Sequence, residues 1–310
     1  MTLNGDKVLV TGGAGFIASH LVDLMVDKGA QVTVLDDLSA GRLENLARVK
    51  DHIEFVEGSV EDAELVNRVC QGRRLVFNLA ANADVPRSVK EPDLDFRTNA
   101  LGAHNVYLGC RKHEVERVLQ ASTAAVYGEP VYTPMDEAHP LAPISPYGAS
   151  KLGAEALGMA WHHTYGLPFT AIRIFNTYGP RQPRYVIHDL FRKIQKNPRQ
   201  LEVLGTGEQI RDYCYVTDTV GAFLDLALKP EMAGEVFNIA GGSPVSIREL
   251  VDMILKTLAL TDTEINYTGQ SWPGDITRLV AGIDKIRGIG FAPTVTLDDG
   301  LQRFADWIMP

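Results

Sequence analysis

The residues best suited to chemistry are Tyr147 and Lys151, which lie four positions apart. Ser145 followed by Pro146 is a typical helix start, with the serine as N-cap and the proline in the first turn. Residues four apart on a helix share one face, so the phenol and the ammonium group can meet in one site. A nearby cation lowers the pKa of a phenol and makes it a usable base. An ordinary exposed tyrosine–lysine pair is the alternative, but none of the other tyrosines has a lysine four residues later.

The second feature is a glycine-rich turn, TGGAGFIA, over residues 11–18. It follows an apolar strand and opens a helix, so Gly12 and Gly15 permit a tight turn and a close approach of pyrophosphate to the backbone at a helix N-terminus. Asp36 and Asp37 end the next strand, where a carboxylate accepts hydrogen bonds from ribose hydroxyls and repels a 2′-phosphate. This pattern predicts NAD binding in preference to NADP. The alternative is that the glycines are plain turn residues.

Short apolar strands alternate with helical patterns through the first half of the chain. The predicted strands are Lys7–Thr11, Gln31–Leu35, Ile53–Val56, Leu75–Leu79, Arg117–Ala121 and Phe169–Ile174. The predicted helices are Phe16–Lys28, Glu61–Cys70, Asp93–Lys112, Ser145 to about Tyr165, and two late ones at about Ser246–Leu258 and Leu297–Trp307. This alternation predicts an α/β fold, with a Rossmann-type doubly wound parallel sheet and helices on both faces.

Beyond residue 175 the pattern becomes looser, with shorter elements separated by glycine and proline. We expect an NAD-binding domain over residues 1–175 and a smaller C-terminal substrate-binding α/β domain over residues 176–310. Parts of the later chain are expected to return to the first domain.

Composition and charge exclude several classes of partner. The 310 residues include 39 acidic and 30 basic side chains, a formal charge of −9, which gives no electrostatic footprint for nucleic acid or an anionic membrane. The three cysteines lack disulfide or metal-ligand spacing, so we expect no metal and a reducing compartment. No apolar stretch approaches the roughly 18 residues of a membrane span, and the N-terminus does not resemble a signal peptide. We therefore expect a cytoplasmic globular protein.

Taken together, the glycine turn and the Tyr147–Lys151 pair resemble the extended short-chain dehydrogenase/reductases of the nucleotide-sugar epimerase/dehydratase group. The resemblance covers nearly the whole chain. Its further motifs are LDDLS at 35–39, LAA at 79–81, Asn99, STAAVYG at 122–128, SPYGASK at 145–151, RIFNTYGPR at 173–181, GTGEQIRDYCYVTD at 205–218, VFNIAGG at 236–242 and PGD at 273–275.

The resemblance implies a role for each matching position. Tyr147 would be the base, Thr123 would hydrogen-bond the sugar 4-oxygen, and Lys151 would orient the tyrosine and the nicotinamide ribose. Besides Tyr147 and Lys151, NAD would contact Gly12, Gly15, Phe16, Ile17, Asp36, Asp37, Ser59, Val60, Leu79, Ala80, Ala81 and Asn99. The substrate, most simply a UDP-sugar, would contact Thr123, Asn176, Arg184, Arg211, Asp275 and Arg278. The helices at about 93–112 and 146–165 resemble the pair that forms the homodimer in this family.

Two positions depart from the family pattern. Ser59 stands where the family usually has an aspartate that contacts the adenine amino group, although Val60 still offers backbone groups. Trp272 stands where many relatives carry an arginine. The second cation for the diphosphate would then be Arg278 or Arg184.

The choice of reaction depends on the two residues after Thr123. The 4,6-dehydratases of the family carry Asp-Glu there and decarboxylases usually keep a glutamate nearby, but this chain has Ala124 and Ala125. Without those groups a 4-keto sugar would take hydride back on its opposite face, which is 4-epimerisation of a nucleotide hexose or hexuronate. A 4-ketoreductase would need external reduced cofactor, often NADPH, which Asp36 disfavours. A non-catalytic dinucleotide sensor on the same fold is a remote alternative.

Overall fold

The computed structural model describes residues 3–270 and 276–309. Its strands are β1 (Lys7–Thr11), β2 (Gln31–Asp36), β3 (Ile53–Glu57), β4 (Leu75–Asn78), β5 (Arg117–Thr123), β6 (Phe169–Ile174), β7 (Asn176–Tyr178), β8 (Gln200–Val203), β9 (Ile210–Arg211), β10 (Tyr213–Tyr215), β11 (Glu235–Ile239), β12 (Val245–Ser246), β13 (Glu264–Tyr267) and β14 (Arg278–Leu279). Its α-helices are α1 (Phe16–Asp27), α2 (Ala63–Cys70), α3 (Val85–Lys90), α4 (Pro92–Asp95), α5 (Gly102–Lys112), α6 (Pro146–Tyr165), α7 (Val186–Lys196), α8 (Val216–Ala227), α9 (Ile247–Thr257), α10 (Asp284–Arg287) and α11 (Leu297–Ile308).

A seven-stranded sheet in the order β11-β6-β5-β4-β1-β2-β3 is the centre of the fold. Neighbouring strands from β1 to β6 pair in parallel. Strand β1 lies between β2 and β4, so the strand order reverses there, and ligands of such sheets bind at the carboxyl ends beside that point. Val8, Leu9 and Val10 of β1 are completely buried, as expected of a strand covered on both faces. The predicted Rossmann-type sheet is confirmed.

The predicted helix over 93–112 is interrupted. Its first part is α4, followed by a π-helical segment, Phe96–Leu101, that leads directly into α5. Asn99 lies in this widened segment with its side chain buried among polar partners. A π-segment inserts one extra residue per turn and often marks a functional position. The periodicity of the sequence does not show the insertion, because apolar residues recur at helical spacing on both sides of it.

By its contacts the chain divides into two units. The first comprises Met1–Glu129, Pro140–Ile174 and Val220–Asn238, and it contains the seven-stranded sheet. The second comprises Pro130–His139, Phe175–Thr219 and Ile239–Pro310.

The second unit is built from three small sheets and amphipathic helices. Strands β7 and β10 pair in parallel, as do β8 and β13, while β12, β9 and β14 form a three-stranded sheet. Helices α7 and α11 meet through Phe191 and Phe304, whose rings are 5.3 Å apart and fully buried. Within residues 3–270 and 276–309, no helix is long and apolar enough to cross a membrane.

Candidate active site

The glycine turn after β1 packs closely against the segment that follows β4. Gly12 has a φ of +67°, and a Cβ at this position would lie 2.8 Å from the backbone of Ala80. Only glycine adopts this conformation in so little space. Gly15 is the N-cap of α1 and provides no side-chain cap, so backbone N–H groups of the first turn are available to an anion. The assignment of this turn to a pyrophosphate stays a prediction.

Asp36 braces this turn from the end of β2. Its carboxylate accepts hydrogen bonds from the N–H groups of Ala14, at 2.9 Å, and Leu38, at 2.8 Å. Burial raises the pKa of Asp36, and the neighbouring charge of Asp37 adds to the rise, while the two backbone hydrogen bonds oppose it. The carboxylate is therefore held in place by the protein itself. Asp37 is exposed and accepts from the N–H and hydroxyl of Ser39.

The remaining cofactor candidates lie in the same unit, around the ends of its strands. Ser59 accepts a hydrogen bond from the N–H of Glu61 at 3.2 Å, and the carbonyl of Val60 accepts from the Asn105 amide at 3.0 Å. Phe16 and Ile17 open α1, and the segment 79–81 directly follows β4.

Asn99 is occupied by protein partners on several sides. Its amide nitrogen donates to Asp95 and to the Ser150 hydroxyl, both at 2.9 Å, and its oxygen accepts from the N–H of Asn82 at 2.9 Å. Ser150 in turn donates to the Tyr147 carbonyl at 2.9 Å. The contacts place Asn99 as a brace between the π-segment and α6. Its assignment to the cofactor stays a prediction.

Sequence reasoning missed a chain of polar side chains that crosses the buried sheet. The Thr11 hydroxyl donates to Asn78 Oδ1 at 2.5 Å, and the Asn78 amide donates to Gln120 Oε1 at 2.7 Å. Thr11 also accepts from the N–H of Ala80 at 3.2 Å, which ties the chain to the segment after β4. The available signal was polar residues inside apolar strands, because buried polar groups need partners.

The segments that carry Thr123 and Tyr147 pack closely against each other. Thr123 is the last residue of β5, and its hydroxyl accepts from the N–H of Ala125 at 3.2 Å. A Cβ at Gly148, next to Tyr147, would lie 2.6 Å from the carbonyl oxygen of Ala125. The first turn of α6 therefore lies directly on the turn that follows Thr123. Ser145 fixes that end of the helix by accepting from the N–H of Gly148 at 3.1 Å, as predicted for its N-cap.

Lys151 lies one turn further along α6 and is almost completely buried, with 3% of its surface exposed. Burial lowers its pKa to about 8, although the charges of Asp95 and Glu155 act in the opposite direction. The role of Lys151 beside the Tyr147 phenol stays a prediction.

Thr123 lies in the first unit, and the other substrate candidates that the structure describes lie in the second. Asn176 opens β7, and its amide nitrogen is buried without a hydrogen-bond partner among the residues described here. An unpaired buried donor is costly, so it favours a ligand acceptor at this position. Arg211 in β9 is half-buried, with Nη1 donating to the Ile210 carbonyl at 2.8 Å, and the Arg184 guanidinium lies 5.2 Å from the Tyr185 ring.

Arg278 and Arg211 do not lie on the same face of their sheet. It pairs with Ile210 in the β9–β14 ladder, while Arg211 pairs with Leu279, so the two arginines start on opposite faces of the ladder. Asp275 and Trp272 lie outside the residues described. Within residues 3–270 and 276–309, no group of three or more histidine, cysteine, aspartate or glutamate side chains could hold a metal ion.

A family model described as GDP-mannose 4,6 dehydratase matches residues 9–304. The chain belongs to this family. The resemblance to extended short-chain dehydrogenase/reductases that act on nucleotide sugars is thereby confirmed. The match includes both units, from β1 into α11.

The individual relatives cover nearly the whole chain. A protein named putative UDP-glucose 4-epimerase from Methanocaldococcus jannaschii is 35% identical over 312 residues, which span 97% of this chain and 98% of that protein. The UDP-glucose 4-epimerase structure from Thermotoga maritima with UDP-glucose has a TM-score of 0.90 and 35% identity, with 97% and 98% of the two chains covered. A dTDP-glucose 4,6-dehydratase structure from Streptomyces venezuelae with NAD bound has a TM-score of 0.90 and 32% identity, with 97% and 96% covered. The chain is thus an enzyme of the epimerase/dehydratase family, with relatives of both activities at similar distance.

Proposed function

We propose that this enzyme catalyses the NAD-dependent 4-epimerisation of a nucleotide sugar, a UDP-hexose or UDP-hexuronate. The observation that carries this choice is the turn after Thr123. Ala124 and Ala125 occupy a short 3-10 helix there, and Ala124 is buried. Methyl groups can neither protonate the sugar 6-oxygen nor remove the proton at C5, which a 4,6-dehydration needs.

The reaction follows from the groups that α6 and β5 present. Tyr147 takes the proton of the sugar 4-hydroxyl, Thr123 hydrogen-bonds the same oxygen, and the Lys151 ammonium stabilises the phenolate. Bound NAD supplies the acceptor, and later the donor, of the C4 hydride. Once the 4-keto sugar has turned over within the site, the bound cofactor would reduce its opposite face, and Tyr147 would give the proton back. The enzyme ends the cycle unchanged.

NAD is assigned to residues of the first unit, and the nucleotide sugar to Thr123 and to residues of the second unit. The glycine turn, with Gly12 and Gly15, suits the pyrophosphate, and the fixed carboxylate of Asp36 suits the adenosine ribose. The unpaired amide of Asn176 suits a sugar oxygen, and Arg211 supplies the local cation that a diphosphate needs in an acidic protein. Arg184, Arg278 and Asp275 are further candidates for the same ligand.

We also propose a cytoplasmic homodimer that uses α5 and α6. Leu108 on α5 and Leu157 on α6 are large apolar side chains with 42% and 37% of their surface exposed, and Phe96 and Tyr165 are exposed nearby in the sequence of these helices. Light scattering tests the dimer, and a monomeric mass would exclude it.

The function is tested by proton NMR of the purified protein with NAD and, in turn, UDP-glucose, UDP-N-acetylglucosamine and UDP-glucuronate. We expect a new anomeric signal from the 4-epimer of one sugar. A 4-keto-6-deoxy product would show a dehydratase, and a pentose product would show a decarboxylase. In the Tyr147→Phe variant, turnover should fall by about 10²-fold or more while NAD binding persists, as expected for loss of a general base. Turnover that survives in this variant would refute the assignment of the base.

A further inference from the structure

An ion pair lies buried beside α6, outside the groups that the proposed reaction uses. The Glu155 carboxylate accepts hydrogen bonds from Nη2 of Arg173 at 2.5 Å and from Nε at 3.1 Å. Each side chain is only 4% exposed. Burial opposes the charge of Arg173, but the hydrogen bonds and charge of Glu155 prevail and raise its pKa above the ordinary value. Because apolar residues often replace such pairs without loss of stability, stability alone does not account for it.

The pair holds both ends of the turn that carries Thr123. Ser122, the residue before the threonine, donates its hydroxyl hydrogen to Glu155 at 2.7 Å. Tyr127, four residues after it, accepts a hydrogen bond from Nη1 of Arg173 at 2.9 Å. The phenol of Tyr127 then donates to Asn238 at 2.6 Å. All of these groups are buried, so the turn has little freedom to shift.

The same pair is fixed to the helix of the proposed base. Tyr147, Lys151 and Glu155 are spaced by four residues along α6, so their side chains form one slowly turning stripe. Glu155 is therefore rigidly connected through a single helix to both groups of the base. Its negative charge also acts on Lys151, raising the pKa of that ammonium group against the effect of burial.

We propose that the Glu155–Arg173 pair is a positioning unit for the oxidation at C4. It fixes the turn that bears Thr123 to the helix that bears Tyr147 and Lys151, so that hydroxyl and phenol reach the same substrate oxygen. Neither Glu155 nor Arg173 needs to touch the substrate. The inference rests on the proposed function, because it takes Thr123 and Tyr147 as the groups that act on the sugar.

The test uses Ser122→Ala and Glu155→Gln, measured with the sugar that the wild-type enzyme converts. Ser122→Ala leaves the ion pair intact and frees one end of the turn, so kcat should fall about tenfold with KM unchanged. Glu155→Gln removes the charge that holds Arg173 and should lower kcat by about 10²-fold, as expected when catalytic groups are displaced by about 1 Å. A loss that lies in KM alone, with kcat preserved, would overturn the proposal.

Thr170→Val is the matched control. Thr170 lies on the same strand as Arg173 and is completely buried. The valine variant loses two hydrogen bonds of the threonine hydroxyl, with Arg117 at 2.9 Å and with the Met232 carbonyl at 2.7 Å. It lies toward the opposite end of β6. Its kcat per folded molecule, corrected by thermal unfolding, should stay at the wild-type value. If Ser122→Ala loses no more kcat than this control, the pair is only structural and the proposal fails. Because Ser122→Ala keeps the ion pair, this comparison decides between the two roles even if Glu155→Gln does not fold.

A readout without turnover separates this proposal from the proposed function. The charges of Asp95 from α4 and Glu155 from α6 act on the Lys151 ammonium. Its titration can be followed by lysine side-chain NMR, with Lys151→Met for assignment. If no sugar reacts, the proposed function fails, but the Glu155→Gln protein should still show the Lys151 midpoint lowered by about one unit, since an opposite charge has been removed. An unchanged midpoint would overturn the coupling of the ion pair to the base.

Discussion

Replacing Lys151 by methionine should stabilise the protein near neutral pH while it destroys activity. Burial lowers the pKa of Lys151 from 10.5 to about 8, a value that already includes the favourable charges of Asp95 and Glu155. A difference of 2.5 units corresponds to about 3 kcal/mol of unfolding free energy, which the folded state loses by keeping the ammonium charged. Methionine has a similar unbranched shape and no charge, so its variant escapes this cost.

The sign of the effect changes the pH dependence in a defined way. Below pH 8 the lysine is charged in both states and the full cost is present. Between about pH 8 and pH 10.5 the lysine is neutral in the folded state and still charged in the unfolded state. The unfolding free energy of the wild type therefore rises with pH until it equals that of the variant. The Lys151→Met protein should therefore unfold at higher denaturant concentration than the wild type at pH 7 and at nearly the same concentration near pH 10.5.

The assay is urea denaturation at pH 7, 9 and 10.5, together with turnover measured by NMR. Turnover should fall by about 10²-fold or more, because the phenolate loses its cation. A methionine variant that is less stable than the wild type at pH 7 would refute the reasoning. So would a stability difference that stays constant across the three pH values, because the cost would then not come from the ammonium charge.

Two further predictions concern the glycine turn and the second unit. Gly12→Ala should lower the unfolding free energy by about 1–3 kcal/mol and weaken NAD binding at least tenfold in calorimetry, because the methyl group meets Ala80 at 2.8 Å and φ is +67°. The control is Gly153→Ala, in α6 with open space around it, which should be neutral or stabilising by up to about 1 kcal/mol. Equal losses in both variants would contradict the steric explanation. Burial raises the pKa of Asp212 to about 6, although hydrogen bonds from backbone N–H groups such as that of Gly242 act in the opposite direction. As the pH rises from about 4 through 6, the carboxyl group must ionise in the folded state, and its charge there lowers the unfolding free energy. Relative to Asp212→Asn, the wild type should lose about 1 kcal/mol of unfolding free energy between pH 5 and pH 8. A difference that grows in the opposite direction would show that the charged form is favoured.

The inner strands of the sheet were predictable because they are buried on both faces and therefore appear as apolar runs. Leu75 to Phe77 in β4 are completely buried, and their side chains alone mark the strand. The start of α6 was predictable for a different reason, because a serine N-cap followed by proline satisfies and pre-organises the first turn. The two signals together position the ends of β1, β4 and β5 and the helix that carries Tyr147.

What could not be predicted depends on partners far apart in the sequence. In the π-segment before α5, the Asn99 side chain hydrogen-bonds Ser150, which is 51 residues away. Gln120 is a polar residue within an apolar strand, and the structure shows that Asn78 and Tyr107 both donate hydrogen bonds to it. Each side chain is locally unfavourable and becomes satisfied only by the tertiary fold, so local propensity carries no sign of it.

The four-residue spacing of Tyr147 and Lys151 on α6 continues to Glu155, the acidic member of the ion pair. Each step of four residues turns the side chain by about 40° around the helix axis. Along α6 that rotation carries the stripe from the half-buried Tyr147 to the buried Lys151 and then to Glu155, which reaches Ser122 of β5. A helix that offers a phenol to a substrate at its first turn therefore points a residue about two turns later into the sheet. A charge there needs a fixed counter-charge, and Arg173 on the neighbouring strand β6 provides it. The spacing that places the base thus also places the group that we propose holds Thr123 against it.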